Sequence, residues 1–179
     1  MISVRNAVSD DALAIAEVQV RSWVDTYTGL LPSAVLEKMS VEESRDRFLE
    51  AIEGKPTEHV YVAEDDGRVF GFAVAGPSRD AGSDAVGEVY ALYVLQDYQG
   101  MGTGTRLFRK AVDDLAGKGF VSLVVRVLSG NSYCRFYEKH GGTEVEARDE
   151  DVGGQLMKLR IFRWDRMPLR MDKGETMGE

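Results

Sequence analysis

Ala91-Leu92-Tyr93-Val94-Leu95-Gln96-Asp97-Tyr98-Gln99-Gly100-Met101-Gly102-Thr103-Gly104-Thr105-Arg106-Leu107 is the stretch whose reading decides the fold. Val89 to Leu95 is an apolar run rich in β-branched and aromatic side chains and bounded by polar residues, the pattern of a largely buried strand. From Leu107 onward the period becomes helical. Leu107, Phe108, Ala111, Val112, Leu115 and Ala116 form one apolar stripe, with Arg106, Arg109, Lys110, Asp113 and Asp114 mostly off it. Gly117 and Gly119 supply the stop. Between strand and helix stand Gly100, Gly102 and Gly104. Without Cβ atoms they let a ligand approach backbone amides at a helix N-terminus, which is how such turns bind phosphate; the alternative is a plain left-handed structural turn.

Several nucleotide-binding families place glycines before a helix, and spacing separates them. A Walker A loop requires Lys and then Ser/Thr after its last glycine, where this chain has Thr105-Arg106. A dinucleotide fingerprint starting at Gly100 requires glycine at 105, and one starting at Gly102 requires it at 107; those positions hold Thr105 and Leu107. What fits is Gln-x-x-Gly-x-Gly, at Gln99, Gly102 and Gly104, directly after a strand.

Working outward, the 179 residues suit one domain, assigned to residues 1–168, with a short polar tail over 169–179 read as mobile. A composition of 44% hydrophobic and 29% charged residues is ordinary for a globular chain. The net charge of −8 argues against a nucleic-acid partner held through phosphates and is more compatible with an amine-bearing one. Cys134 is the sole cysteine and there are two histidines, so neither an intrachain disulfide nor a His/Cys metal cluster can be assembled, and no metal is expected. The start, Met-Ile-Ser-Val-Arg, has no signal-length apolar core, and no run approaches membrane-spanning length; a cytoplasmic location with no membrane partner is the default.

Ile2 to Val8 alternates as a strand, and Ser9 or Asp10 caps a helix carrying Leu13, Ile15, Ala16, Val18 and Val20 toward Trp23 and Tyr27. Gly29 to Pro32 breaks it. A second helical region runs from about Ser33 to Ile52, recapped at Ser40 ahead of Glu43. Val60 to Glu64 and Val69 to Ala75 are strands joined by Asp65-Asp66-Gly67-Arg68, and a polar connection leads to the strand Val86 to Leu95. After the glycine turn and its helix come a strand, Val121 to Leu128, a turn at Ser129-Gly130-Asn131, and a helix through Tyr133, Phe136 and Tyr137 that ends at Gly141-Gly142. Glu144 to Ala147 and Leu156 to Trp164 are the last strands. The order β-α-α-β-β-β-α-β-α-β-β describes a mixed α/β sheet covered by helices, with the ligand loop at the C-terminal end of a strand.

With these elements in order, Gly87-Glu88-Val89-Tyr90-Ala91-Leu92-Tyr93-Val94, then Gln99-Gly100-Met101-Gly102-Thr103-Gly104, then Asn131 followed by Phe136-Tyr137-Glu138-Lys139 and Gly141, resemble the GNAT superfamily of acyl-CoA-dependent N-acetyltransferases. Arg21-Ser22-Trp23 through Tyr27, with Gly29-Leu30-Leu31-Pro32, resembles a bacterial subgroup whose substrates are unassigned. The resemblance spans nearly the whole chain. It implies a single domain with a mainly antiparallel twisted sheet of about seven strands and helices on both faces. It also implies that amides from Gly100 to Thr105 hold the pyrophosphate of acetyl-CoA, that the open edge at Leu92, Tyr93 and Val94 pairs with the pantetheine arm, and that Asn131 hydrogen-bonds the same arm. Homodimers are frequent in the superfamily. The chain departs from its relatives at Gly142, where they usually have an aromatic residue. Asn131 and Tyr137 are six apart where many relatives have seven, a difference that turns the tyrosine by roughly 100° unless the turn compensates.

The implied reaction is direct attack of a neutral amine on the thioester carbonyl. Tyr137 stands where the family commonly has its general acid; its alternative is a core aromatic. A thiol near 8.5 and a phenol near 10 make full proton transfer uphill by about 2 kcal/mol in water, so Tyr137 acts by hydrogen bonding or through a lowered pKa. Glu88 is the candidate base for the amine, against a salt-bridged strand carboxylate. A backbone amide near Val94 is the candidate oxyanion donor. Trp23 and Tyr27, beside Leu30, Leu31, Leu36, Met39 and Phe48, carry more apolar surface than two short helices need and offer an acceptor wall, or else plain packing. Cys134 reads as packing and His140 as a helix C-terminal residue. Two functions remain: a catalytic acetyltransferase acting on a small-molecule or peptidic amine, and an acyl-CoA-binding regulatory module without turnover.

Overall fold

The computed structural model describes residues 1–54, 57–80, 85–131 and 133–168. The tail expected from residue 169 lies outside them. Seven strands form one sheet in the order β1-β2-β3-β4-β5-β7-β6. They are β1 (Ser3–Asn6), β2 (His59–Asp65), β3 (Arg68–Pro77), β4 (Val86–Val94), β5 (Ser122–Leu128), β6 (Thr143–Val152) and β7 (Gln155–Trp164). Every neighbouring pair is antiparallel except β4 and β5. That exception follows from the chain path: α4 (Thr103–Gly117) leaves the end of β4 and returns β5 in the same direction, as a helical crossover must.

Helices cover both faces. Along β3, Phe72 meets Phe48 of α3 (Val41–Glu53) with ring centroids 5.2 Å apart, while its neighbour Gly71 backs onto Leu107 of α4. Adjacent strand residues point to opposite faces, so α3, with α1 (Ala12–Tyr27) packed on it, lies opposite α4. The stripe read from the sequence is the buried side of α4: Leu107, Phe108, Ala111, Val112 and Leu115 are all buried. The second helical region is two helices, α2 (Ser33–Glu37) and α3, and Ser40 accepts from the Glu43 amide at 3.2 Å, the recapping its sequence indicated.

Two boundaries differ from the sequence reading. The cap before α1 is neither Ser9 nor Asp10: a short 3-10 turn, Ser9–Asp11, precedes the helix, and Asp11 accepts from the Val8 amide at 2.8 Å while held by Arg5 at 2.6 and 2.9 Å. β6 runs to Val152 rather than ending at Ala147. Its charged residues have poor strand propensity, and pairing with β7 through the Gly153-Gly154 turn overrides it.

A bulge in β4 sets up the site. Val74 of β3 pairs with Ala91 and Ala75 with Val89, so Tyr90 is an extra residue that shifts the pleat by one. Gly87 therefore backs onto Leu115 of α4, whereas Tyr93, which simple alternation would put on the same face, reaches Trp23 of α1 at 3.0 Å.

Candidate active site

β4 and β5 pair only from Val86–Ser122 to Val89–Val125, after which they splay. β4 continues along β3 to Val94, and β5 along β7 to Leu128, leaving a wedge between them. A cavity of about 170 Å³ fills it, lined by Trp23, Tyr27, Tyr93, Arg126, Asn131 and Tyr137 among others. Leu95 N–H donates to Phe70 at 2.9 Å, so in the antiparallel alternation Tyr93 also bonds toward β3, while the N–H and C=O groups of Leu92 and Val94 face the wedge. The Val94 carbonyl accepts from the Gln99 side chain at 2.9 Å; the Val94 N–H remains directed into the cleft.

The glycine turn lies where β4 ends. Gly100 and Gly102 have φ of +75° and +76°, a region closed to most side chains, and Gly102 is the N-cap of α4. The first bond around this end runs from Arg106 N–H to the Gly102 carbonyl, so the amides of Gly102, Thr103, Gly104 and Thr105 precede the ladder and have no carbonyl one turn back. Met101 is exposed, and the Thr103 side chain is buried with its hydroxyl unpartnered, so Thr103 can serve a ligand only through its backbone. The four orphan amides, the helix dipole and the open backbone edge of β4 fit a pyrophosphate followed by an amide-bearing arm.

Asn131 and Tyr137 line the same cavity although they are six residues apart, because Asn131 lies outside α5 (Cys134–Lys139) in a turn where its Oδ1 accepts from the Tyr133 amide at 2.9 Å. The turn absorbs the missing residue. The Tyr27 phenol is raised by burial, an effect the nearby Asn131 side chain reduces. Tyr137 is buried among Phe108, Phe136, Phe162 and Trp164, and burial pushes its phenol well above the ordinary value, with Tyr93, Cys134, Tyr27 and Tyr133 reinforcing the shift. The rings of Trp23 and Tyr27, also in the lining, meet at a tilt of 52° with centroids 4.9 Å apart. Cys134 is buried and burial raises its thiol, the state of a packing residue rather than a nucleophile. His140 Nδ1 lies 2.7 Å from the Phe136 carbonyl, which can only accept; the neutral ring therefore has its proton on Nδ1 and accepts from the Thr105 hydroxyl, 3.1 Å away, at Nε2. Thr105 thus joins the glycine turn to α5.

Glu88 is fully buried and both its oxygens are taken. Arg79 donates through Nε and its backbone N–H, each at 2.9 Å, and through Nη2; Arg126 makes an ion pair from the other side. Burial alone would raise this carboxyl, but the two guanidinium groups and the amide outweigh it and hold its pKa below the ordinary carboxylate value. Such an environment favours the salt-bridged reading of Glu88 over the base reading.

Residues 20–142 match the model of the acetyltransferase (GNAT) family. The chain belongs to the GNAT family. This GNAT acetyltransferase is 33% identical over 165 residues to YuaI of Bacillus subtilis (strain 168), described as an uncharacterized N-acetyltransferase, covering 92% of this chain and 93% of that one. It is 28% identical over 166 residues to the L-amino acid N-acyltransferase MnaT of Escherichia coli (strain K12), covering 91% and 88%. Among solved structures, yncA from Salmonella typhimurium with its cofactor acetyl-CoA superposes with a TM-score of 0.72 at 20% identity, covering 92% and 93%. None of these relatives supports a non-catalytic reading. The seven-stranded sheet and helix-covered faces are those expected of a GNAT chain. No helix among the described residues is long and apolar enough to cross a membrane.

Sequence reasoning missed Arg79 and Arg126. A signal for Arg126 was present: it interrupts Leu123-Val124-Val125-Arg126-Val127-Leu128, and an arginine inside a buried run must be paired. Arg79 follows β3 with no local pattern that joins it to Glu88.

Proposed function

We propose that residues 1–168 form one catalytic domain that transfers the acetyl group of acetyl-CoA to the primary amine of a small molecule or peptide by direct attack. The observation that carries this is the wedge itself: an open β4 edge leads from four unpaired helix-terminal amides to a buried tyrosine. The pyrophosphate binds the amides of Gly100 to Thr105, and the pantetheine arm pairs with Leu92 and Val94 and meets Asn131. The acetyl-CoA-bound relative of the same fold supports that donor.

In this reaction the Val94 N–H stabilises the developing oxyanion, a contact that contributes about 3 kcal/mol. Tyr137 hydrogen-bonds the departing sulfur. Its raised pKa opposes full transfer, but the same burial raises the thiol, and a nascent thiolate in a dry cleft draws strongly on a phenolic donor. Trp23 and Tyr27 wall the acceptor. Because both oxygens of Glu88 are engaged, the amine loses its proton to water in the outer cleft, which favours weakly basic acceptors: at pH 7 deprotonation costs roughly 1.4 kcal/mol for an amine near 8 and roughly 4.6 for one near 10.4. A supply of acetyl-CoA makes the cytoplasm the natural location.

The test is release of free CoA thiol from acetyl-CoA across a panel of amines. Turnover with at least one amine, rising with pH as that amine deprotonates, is expected. Acetyl-CoA binding with no turnover across the panel would return the non-catalytic reading.

A further inference from the structure

The wedge opens into a second, outer cavity of about 480 Å³ beneath the β6–β7 hairpin, and Trp23, Arg126, Leu128 and Leu159 line both. Arg126 is therefore at the junction through which an acceptor passes to reach the thioester. Its side chain is 8% exposed, and its position on β5 is the first beyond the last β4–β5 pair, where the strands begin to part.

Two guanidinium groups, Arg79 and Arg126, converge on the one buried carboxylate of Glu88. One carboxylate balances one of them. The remaining charge is met by Asp80, whose Oδ2 sits 2.5 Å from Arg126 Nη2 although the Asp80 side chain is 65% exposed. Arg126 Nη1 is paired with Glu88, so the guanidinium bridges the buried carboxylate on one side and Asp80 on the other. A carboxylate thus already docks on the cavity side of this buried guanidinium, from a solvent-exposed residue. An exposed ion pair is weakly held, so a second carboxylate arriving through the outer cavity can replace it without changing the charge balance.

We infer that Arg126, oriented by Glu88, is an anion subsite that selects acceptors carrying a carboxylate next to the reacting amine, with Asp80 occupying the subsite until the acceptor arrives. This rests on the acetyltransferase reading of the cleft and gives it a substrate class: α-amino acids and closely related amino carboxylates. Glu88 is then a positioning residue. It holds two guanidinium groups at the cleft mouth and takes no proton from the amine.

The experiment compares common L-α-amino acids with their carboxamides, at equal concentrations of unprotonated amine, by CoA thiol release and by thermal shift. The wild-type protein should prefer the acids by 10-fold or more in kcat/KM. Arg126→Gln should collapse that ratio toward one, chiefly through a higher KM for the acids. Asp80→Asn, a surface change that leaves the buried pair in place, should lower the KM for the acids 2- to 5-fold and do less for the amides. Turnover with equal efficiency on acids and amides overturns the subsite while leaving the acetyltransferase reading intact. Absence of turnover, together with stabilisation by the acids that Arg126→Gln abolishes, supports the subsite and overturns the reaction.

Discussion

The indole of Trp164 stands where a side chain at residue 142 would have to go: a Cβ added to Gly142 would come within 2.7 Å of the Trp164 ring. The same indole donates to the His140 carbonyl at 2.8 Å, closing α5 onto β7 beside Tyr137. The space beside residue 142 is thus filled from β7. Gly142→Phe should destabilise the protein by about 1–3 kcal/mol through overpacking, and Trp164→Ala by about 3–5 through the cavity it leaves. In urea unfolding the double variant should lose less than the sum of the singles, by at least about 1 kcal/mol. Strict additivity would mean that the two sites do not share the space.

Gly102→Asp tests the phosphate turn. The substitution forces a Cβ into φ +76° and sets a negative charge among the amides proposed for the pyrophosphate. Wild-type protein should gain thermal stability from acetyl-CoA by mass action, and the variant should show no such gain. A ligand-induced shift of the same size in both would remove the turn from the binding site.

At Tyr137, substitution by Phe removes one hydroxyl from an aromatic cluster and leaves the rings packed. Turnover should fall about 10²-fold or more while the dissociation constant for acetyl-CoA changes little. Retained turnover would assign the leaving-group proton to water.

Glu88→Gln separates a base from a positioning role through pH. A base would be missed most at low pH, where the amine is protonated; a positioning residue is missed by a similar factor across pH 6 to 10, and that even loss is the expected result. Stability provides an independent check. The folded pKa of Glu88 lies below the unfolded value, so its contribution is fully present above the ordinary carboxylate value and is lost as pH falls from there through the lowered folded pKa. The wild type should therefore lose more stability on acidification than the variant. At neutral pH the variant should be less stable by on the order of 3 kcal/mol, because a buried arginine is left without its partner.

The elements of this protein were legible because each is encoded within a window of about fifteen residues. The stripe from Leu107 to Leu115 specifies α4 and its buried face, Ser40 specifies the start of α3, and Gly100 and Gly102 specify a turn that only glycine adopts easily. The motif around Gln99 to Gly104 made the proposed donor side legible for the same reason: a phosphate turn is made of consecutive backbone amides. What only the tertiary structure decided lies between windows. The bulge at Tyr90 depends on pairing with β3 and chooses which β4 side chains face the cleft. β6 becomes a long strand only because β7 pairs with it. Along the chain Glu88 reads equally as a base or as a salt-bridged carboxylate; its partners come from a loop and from β5, so the choice depends on charges brought within a few ångströms by folding. Hydrophobic period and turn chemistry act locally and can be read from neighbours in sequence; Coulombic pairing and desolvation depend on neighbours in space.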